Sequence, residues 1–145
     1  MENMPMDIDN ERFPHGQVAV MRHGLHQGGE IIDISRDHCQ KVTRELATFI
    51  GDKRVVIVHS EMVRAKNTAQ IVQNTLLSEG IRIEELQESP ALSPEKYQIK
   101  DAIPNPPEEG VFILLISHEP DIQDFLGHRN PVRNCSIFAR DFTIN

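Results

Sequence analysis

The chain has no tryptophan, one tyrosine and two cysteines, and aromatic residues make up only 5% of it. Nowhere does an apolar run approach the roughly 20 residues that a bilayer-crossing helix needs. Positive charge is also short, with 15 Lys and Arg against 22 Asp and Glu and a formal net charge of −7. That balance argues against nucleic acid and anionic membrane as partners, since both are held by broad cationic surfaces, and any anion site must be local. Cys39 and Cys135 form no CxxC and no metal-type spacing and read as small buried apolar residues, a disulfide being the lesser alternative. Seven histidines in 145 residues invite a metal. None is paired as His-x-x-x-His or joined to a carboxylate on one helix, so neither metal nor cofactor is expected. Met1 to His15 is acidic and polar and lacks the basic-then-apolar order of a secretory signal. It is expected to be a loose leader, with residues 16–145 a single domain and the protein cytoplasmic.

What is present is a soluble-protein balance of 39% hydrophobic and 26% charged residues arranged as strands alternating with helices. Val18 to Arg22 is a short apolar strand that ends abruptly in Arg-His-Gly. The next stretch, Leu25 to Ile34, contains Gly28-Gly29 and has no helical period, which predicts a loop. Ser35 suits an N-cap, with Asp37 in the first turn and Cys39, Val42, Leu46, Phe49 and Ile50 at helical spacing up to Gly51. Arg54-Val-Val-Ile-Val-His59 is too uniformly apolar for a sheet wetted on one face. A helix follows whose inner face is Ala65, Ala69, Val72 and Leu76, closed by Gly80.

Ile81 to Leu86 reads as an edge strand because Arg82, Glu84 and Glu85 interrupt it. The proline-rich connection from Gln87 to Gly110 allows at most a short helix around Glu95 to Ala102. Val111-Phe-Ile-Leu-Leu-Ile-Ser117 is the strongest strand, and Pro120 suits the first turn of a helix through Ile122, Phe125 and Leu126. Asn134 to Thr143 reads as a last, edge strand. The pattern predicts an α/β three-layer sandwich with a mainly parallel central sheet of about five strands and helices on both faces.

In a parallel sheet the strand ends share one side, so Arg22 and His23, Ser60 and Arg64, and His118 can converge although distant in sequence. Two guanidinium and two imidazole groups in one place make a dianion pocket. Arg22-His23-Gly24, Ser60-x-x-x-Arg64-Ala65-x-x-Thr68-Ala69 and Ser117-His118-x-Pro120, in that order, resemble the histidine phosphatase superfamily, the phosphoglycerate-mutase-like fold. The short length and the Ser89-Pro-Ala-Leu-Ser-Pro94 segment are most similar to its small bacterial phosphohistidine phosphatases of the SixA type.

The resemblance implies strand order 3-2-4-1-5 among the five strands above, the last antiparallel. It also implies metal-independent catalysis through a phosphohistidine at His23, with Arg22, Arg64, His118 and Ser60 binding the phosphoryl oxygens. The nitrogen of His23 not used for attack would donate to a backbone carbonyl such as that of Gly24. A phosphohistidine on a protein, or a small phosphorylated molecule, would be the substrate.

The sequence departs from the family pattern in three places. Glu61 stands where proline is usual, and His38 where glycine is. The acid is ambiguous: Leu86-Gln87-Glu88 matches a mutase-like Leu-x-Glu, whereas the SixA-type pattern puts Ala91 where its glutamate stands. Glu88 is therefore the candidate acid by one alignment only. A noncatalytic phosphate- or phosphopeptide-binding module, and a phosphoglycerate mutase-like enzyme, remain as alternatives. Ser60 is open between capping the helix that carries Arg64 and touching phosphate. Thr68 reads as a packing or helix-bonding residue, and Glu119 as a helix-dipole partner. His26 reads as a solvated loop residue, with a place facing phosphate or a leaving group as the lesser alternative, His59 as semi-buried, and His15, His38 and His128 as surface positions. Turn and strand duties account for Asn134 and Ser136.

Overall fold

The computed structural model describes residues 18–27, 30–104, 108–139 and 142–145. The leader, His15, Gly28-Gly29 and the prolines at 106 and 107 lie outside the described residues. Strand β1 (Val18–Arg22) leads through a small hairpin, β2 (His26–Gln27) and β3 (Glu30–Ile31), into helix α1 (Asp33–Ile50). Strand β4 (Arg54–His59), helix α2 (Val63–Ser78) and strand β5 (Ile83–Glu88) follow. After two 3-10 turns come strand β6 (Val111–Ser117), helix α3 (Glu119–Leu126) and strands β7 (Ile137–Ala139) and β8 (Phe142–Ile144).

The six-stranded sheet has the order β5-β4-β6-β1-β7-β8. Its first four strands run parallel and β7 pairs antiparallel with β1. The expected order thus holds across the sheet, with one correction at its end. The single strand expected over Asn134 to Thr143 is an antiparallel pair in which Ile137 faces Ile144, so the sheet gains a sixth strand.

Strand β6 is buried along its whole length, as an unbroken apolar run demands when neighbours cover both edges and layers cover both faces. Its alternate residues divide the core. Phe112, Leu114 and Ile116 pack with Cys39, Val42 and Leu46 of α1 and Ala65, Ala69 and Val72 of α2. Val111, Ile113 and Leu115 pack with Ile122 and Leu126 of α3 and with Leu92, Ile99 and Ile103 of the proline-rich connection. The third layer is therefore one helix plus a folded connection.

Four local expectations change. The stretch after β1 is a hairpin, where His26 pairs with Ile31. Helix α1 begins at Asp33, because the Ile32 carbonyl already accepts from the Ser35 and Arg36 amides, and Ser35 is not its cap. The edge strand is displaced to Ile83–Glu88. The short helix around residues 95–102 shrinks to a 3-10 turn, Ile99–Ala102, with a second at Pro90–Leu92. Among the described residues no helix is long and apolar enough to cross a membrane.

Candidate active site

Three adjacent strands deliver the site. The amide of His23 donates to the Ser117 carbonyl (3.2 Å) and that of Ser60 to the Ile116 carbonyl (3.1 Å), so His23, Ser60 and His118 each leave the sheet at the same level. The register pairs Arg22 with Ser117. Sheet regularity alone therefore brings the His23 and His118 rings to a centroid separation of 5.0 Å, inclined at 58°.

His23 is 6% exposed and held from all sides. Its Nδ1 lies 2.8 Å from the Gly24 carbonyl oxygen. A carbonyl only accepts, so Nδ1 carries the proton and Nε2 keeps its lone pair. Asn134 Nδ2 donates to the His23 carbonyl (3.1 Å), and the Gly24 amide donates to Thr68 Oγ1 (2.8 Å), which itself donates to the Arg64 carbonyl. Thr68 is thus the helix-bonding residue its sequence context indicated, with a second duty the sequence did not reveal. The Leu25 amide donates to Ser35 Oγ (2.8 Å), which is why that hydroxyl is not free to cap α1. A Cβ on Gly24 would stand 3.0 Å from Ser35 Oγ and 3.3 Å from Ile31 Cδ1, so a larger residue here would press on both neighbours.

His118, 3% exposed, pairs its Nε2 with Ser60 Oγ at 2.8 Å. Ser60 Oγ also accepts from the Met62 amide (3.1 Å), just ahead of α2, so it neither caps that helix nor stands idle. A hydroxyl has one proton and two lone pairs, so with Met62 on one of them Ser60 Oγ can still either donate to or accept from Nε2, and His118 Nδ1 takes the complementary role. Arg22 is anchored by donation from Nη1 to the Val132 carbonyl (2.6 Å), while the Val132 amide donates to Glu119 Oε2 (2.8 Å). Glu119 thus supports the backbone that seats Arg22.

Among the described residues, three solvent-shielded polar atoms in this region have no partner: Arg22 Nε, His118 Nδ1 and His26 Nδ1. Natural interiors rarely leave such atoms unmatched. The electrostatics agree. Burial above all, and then the positive charges of His118, Arg22 and Arg64, push His23 down to about 3 against the opposing Gly24 carbonyl. Burial, followed by Arg64, Arg22 and His26, pushes His118 down to about 4. Both imidazoles are neutral at pH 7, in a field that favours an anion.

Glu88 is exposed at the end of the edge strand, in register with His59 and separated from β1 by β4 and β6. Glu61 accepts from Ser93 Oγ (3.1 Å), which ties its carboxylate to the proline-rich connection. His59 is buried and donates from Nδ1 to the Ser60 carbonyl. Ser136 gives its carbonyl to the Arg22 amide and its hydroxyl to Asn145. His38 is exposed, but His128 is half-buried, its ring edge-on to Phe138 at 6.4 Å. His26 is the larger departure. It is half-buried, and its ring lies 5.7 Å from that of His23. Both cysteines are buried free thiols. Among the described residues no three His, Cys, Asp or Glu are placed to hold a metal ion.

No family model and no curated protein matches the sequence. Solved structures do match the fold. Phosphoglycerate mutase from Plasmodium falciparum superposes with a TM-score of 0.55 at 26% identity, over 75% of this chain and 65% of the mutase. The chain thus spans just under two thirds of that enzyme's length. The protein histidine phosphatase SixA complexed with tungstate gives a TM-score of 0.60 at 16% identity, covering 84% of this chain and 85% of SixA. Mycobacterial glucosyl-3-phosphoglycerate phosphatase complexed with VO3 gives 0.53 at 14%, covering 83% and 88%. The fold is the one these proteins share, that of the histidine phosphatase superfamily, and it is SixA-like in extent.

Proposed function

We propose that the chain is a phosphohydrolase that forms a covalent phosphohistidine on His23. The observation that carries this reading is the set of shielded nitrogens that lack a partner among the described residues, beside a neutral imidazole whose tautomer leaves Nε2 its lone pair. Nε2 attacks phosphorus in line, and the N–P bond forms as the bond to the leaving group breaks. Water then attacks the same phosphorus and the electron pair returns to Nε2. Arg22 Nε and His118 Nδ1 donate to the non-bridging oxygens and the Arg64 guanidinium adds charge. Most of the rate thereby comes from positioning and from dipoles already in place. A bound dianion reverses the field at His118 and favours its protonated form.

SixA complexed with tungstate and the mycobacterial phosphatase complexed with VO3 are oxyanion complexes of the same fold, which supports an oxyanion as the ligand class. The likeness to SixA favours a phosphohistidine on a protein surface as substrate over a small phosphorylated molecule, because nothing as large as an inserted domain separates the site elements. The experiment is turnover of a phosphoramidate and of an aryl phosphate by wild type and His23→Ala. Wild-type turnover abolished in the variant is expected. No turnover of either compound, with the two proteins equal, overturns the proposal.

One observation favours a second reading, a noncatalytic phosphate- or phosphopeptide-binding module. Among the described residues every charged group that acts on His23 or His118 is a cation, and no carboxylate joins them. That module would bind phosphate, lose affinity on Arg64→Ala, and never carry acid-labile phosphate on His23.

A further inference from the structure

Of the carboxylates described around the site, three accept hydrogen bonds from other parts of the fold. Glu61 holds Ser93, Glu119 holds the Val132 amide, and buried Asp121 accepts from the amides of Glu95 and Tyr97. Glu88 stands exposed on the edge strand. Among the described residues, the group beside His23 that can carry a proton and has no fixed partner is His26. The hairpin fixes its backbone through pairing with Ile31, its ring stands 5.7 Å from His23, and its Nδ1 is shielded and unpartnered. His118 Nδ1 is shielded and unpartnered too, but its ring is fixed by Ser60 Oγ at Nε2 and serves the non-bridging oxygens.

We propose that His26 is the proton donor to the leaving group, the task a carboxylic acid would otherwise perform; this rests on phosphotransfer through His23. In the first step the His23 Nε2 lone pair forms the N–P bond while the bond from phosphorus to the leaving atom breaks. The released electron pair takes a proton from Nδ1 of protonated His26. In the second step neutral His26 accepts a proton from the attacking water as the N–P pair returns to His23. The cycle restores both imidazoles and yields one alcohol or amine and one phosphate.

The test compares 2,4-dinitrophenyl phosphate, whose leaving group departs as a stable anion, with phenyl phosphate, whose leaving group needs a proton. For His26→Gln the ratio of kcat/KM on phenyl phosphate to that on the dinitrophenyl ester is expected to fall about 100-fold below wild type. In His26→Ala, added free imidazole is expected to restore phenyl phosphate turnover. Equal losses on both esters without imidazole rescue would assign His26 a structural role and overturn the proposal, as would an unchanged ratio. A wild type that turns over neither ester overturns phosphotransfer itself, whereas wild-type turnover lost in His23→Ala but insensitive to His26→Gln overturns only the role of His26.

Discussion

Burying two neutral imidazoles beside two arginines makes stability depend on pH in a way that can be isolated by substitution. His23 is held at about 3 and His118 at about 4, both below the usual 6.5 that the unfolded chain restores. The unfolded state therefore binds protons first as pH falls. The stability in question is fully present above pH 6.5 and is lost as pH drops toward the folded values. At pH 5 the loss is about 2 kcal/mol for each ring, about 4 kcal/mol together, which is a large share of an ordinary domain's stability. Urea unfolding of wild type, His23→Gln and His118→Gln at pH 8 and pH 5 separates this from the other titrating groups, since glutamine cannot take up a proton. Each variant is expected to lose about 2 kcal/mol less than wild type between the two pH values. Three proteins with the same pH 8 to pH 5 drop would refute the electrostatic description of the site.

Two further substitutions probe the scaffold. Thr68→Val keeps the shape of the side chain but strips the Gly24 amide of its acceptor. It is expected to destabilise by about 1–3 kcal/mol in urea melts and to lower kcat by loosening His23. Asp121→Ala removes the carboxylate that accepts from the Glu95 and Tyr97 amides, two residues held at φ of 63° and 55°. A loss of about 3 kcal/mol, with faster proteolytic cleavage within residues 94–98, is expected; cleavage at the wild-type rate would contradict it.

The parallel part of the sheet was legible because Arg54–His59 and Val111–Ser117 are unbroken apolar runs, which need cover on both faces. The terminal hairpin was not, because strands of three residues such as Ile137–Ala139 are too short to display a period. The pair His26–Gln27 and Glu30–Ile31 escaped notice for the same reason. Ser35 misled because its hydroxyl is consumed by a contact ten residues back in the chain, to Leu25, which local pattern cannot register.

At the site, the convergence of Arg22, His23, Ser60, Arg64 and His118 could be read from three strand ends and their motifs. The seating of those residues could not. Thr68 on Gly24, Asn134 on His23 and Glu119 on the Val132 backbone behind Arg22 are long-range hydrogen bonds without a sequence period. For His26 the loop reading outweighed a role facing the leaving group because only the folded hairpin turns its Nδ1 away from solvent.

The most direct measurement of the central claim is the site of covalent phosphate during turnover. Wild-type protein, mixed with a phosphoramidate or with 2,4-dinitrophenyl phosphate and quenched in alkali, is digested and examined by mass spectrometry. The expected result is one acid-labile, alkali-stable phosphate on His23, absent from His23→Ala and depleted when substrate is exhausted. Turnover at full rate with His23 unmodified, or with the phosphate on another residue, would contradict the claim.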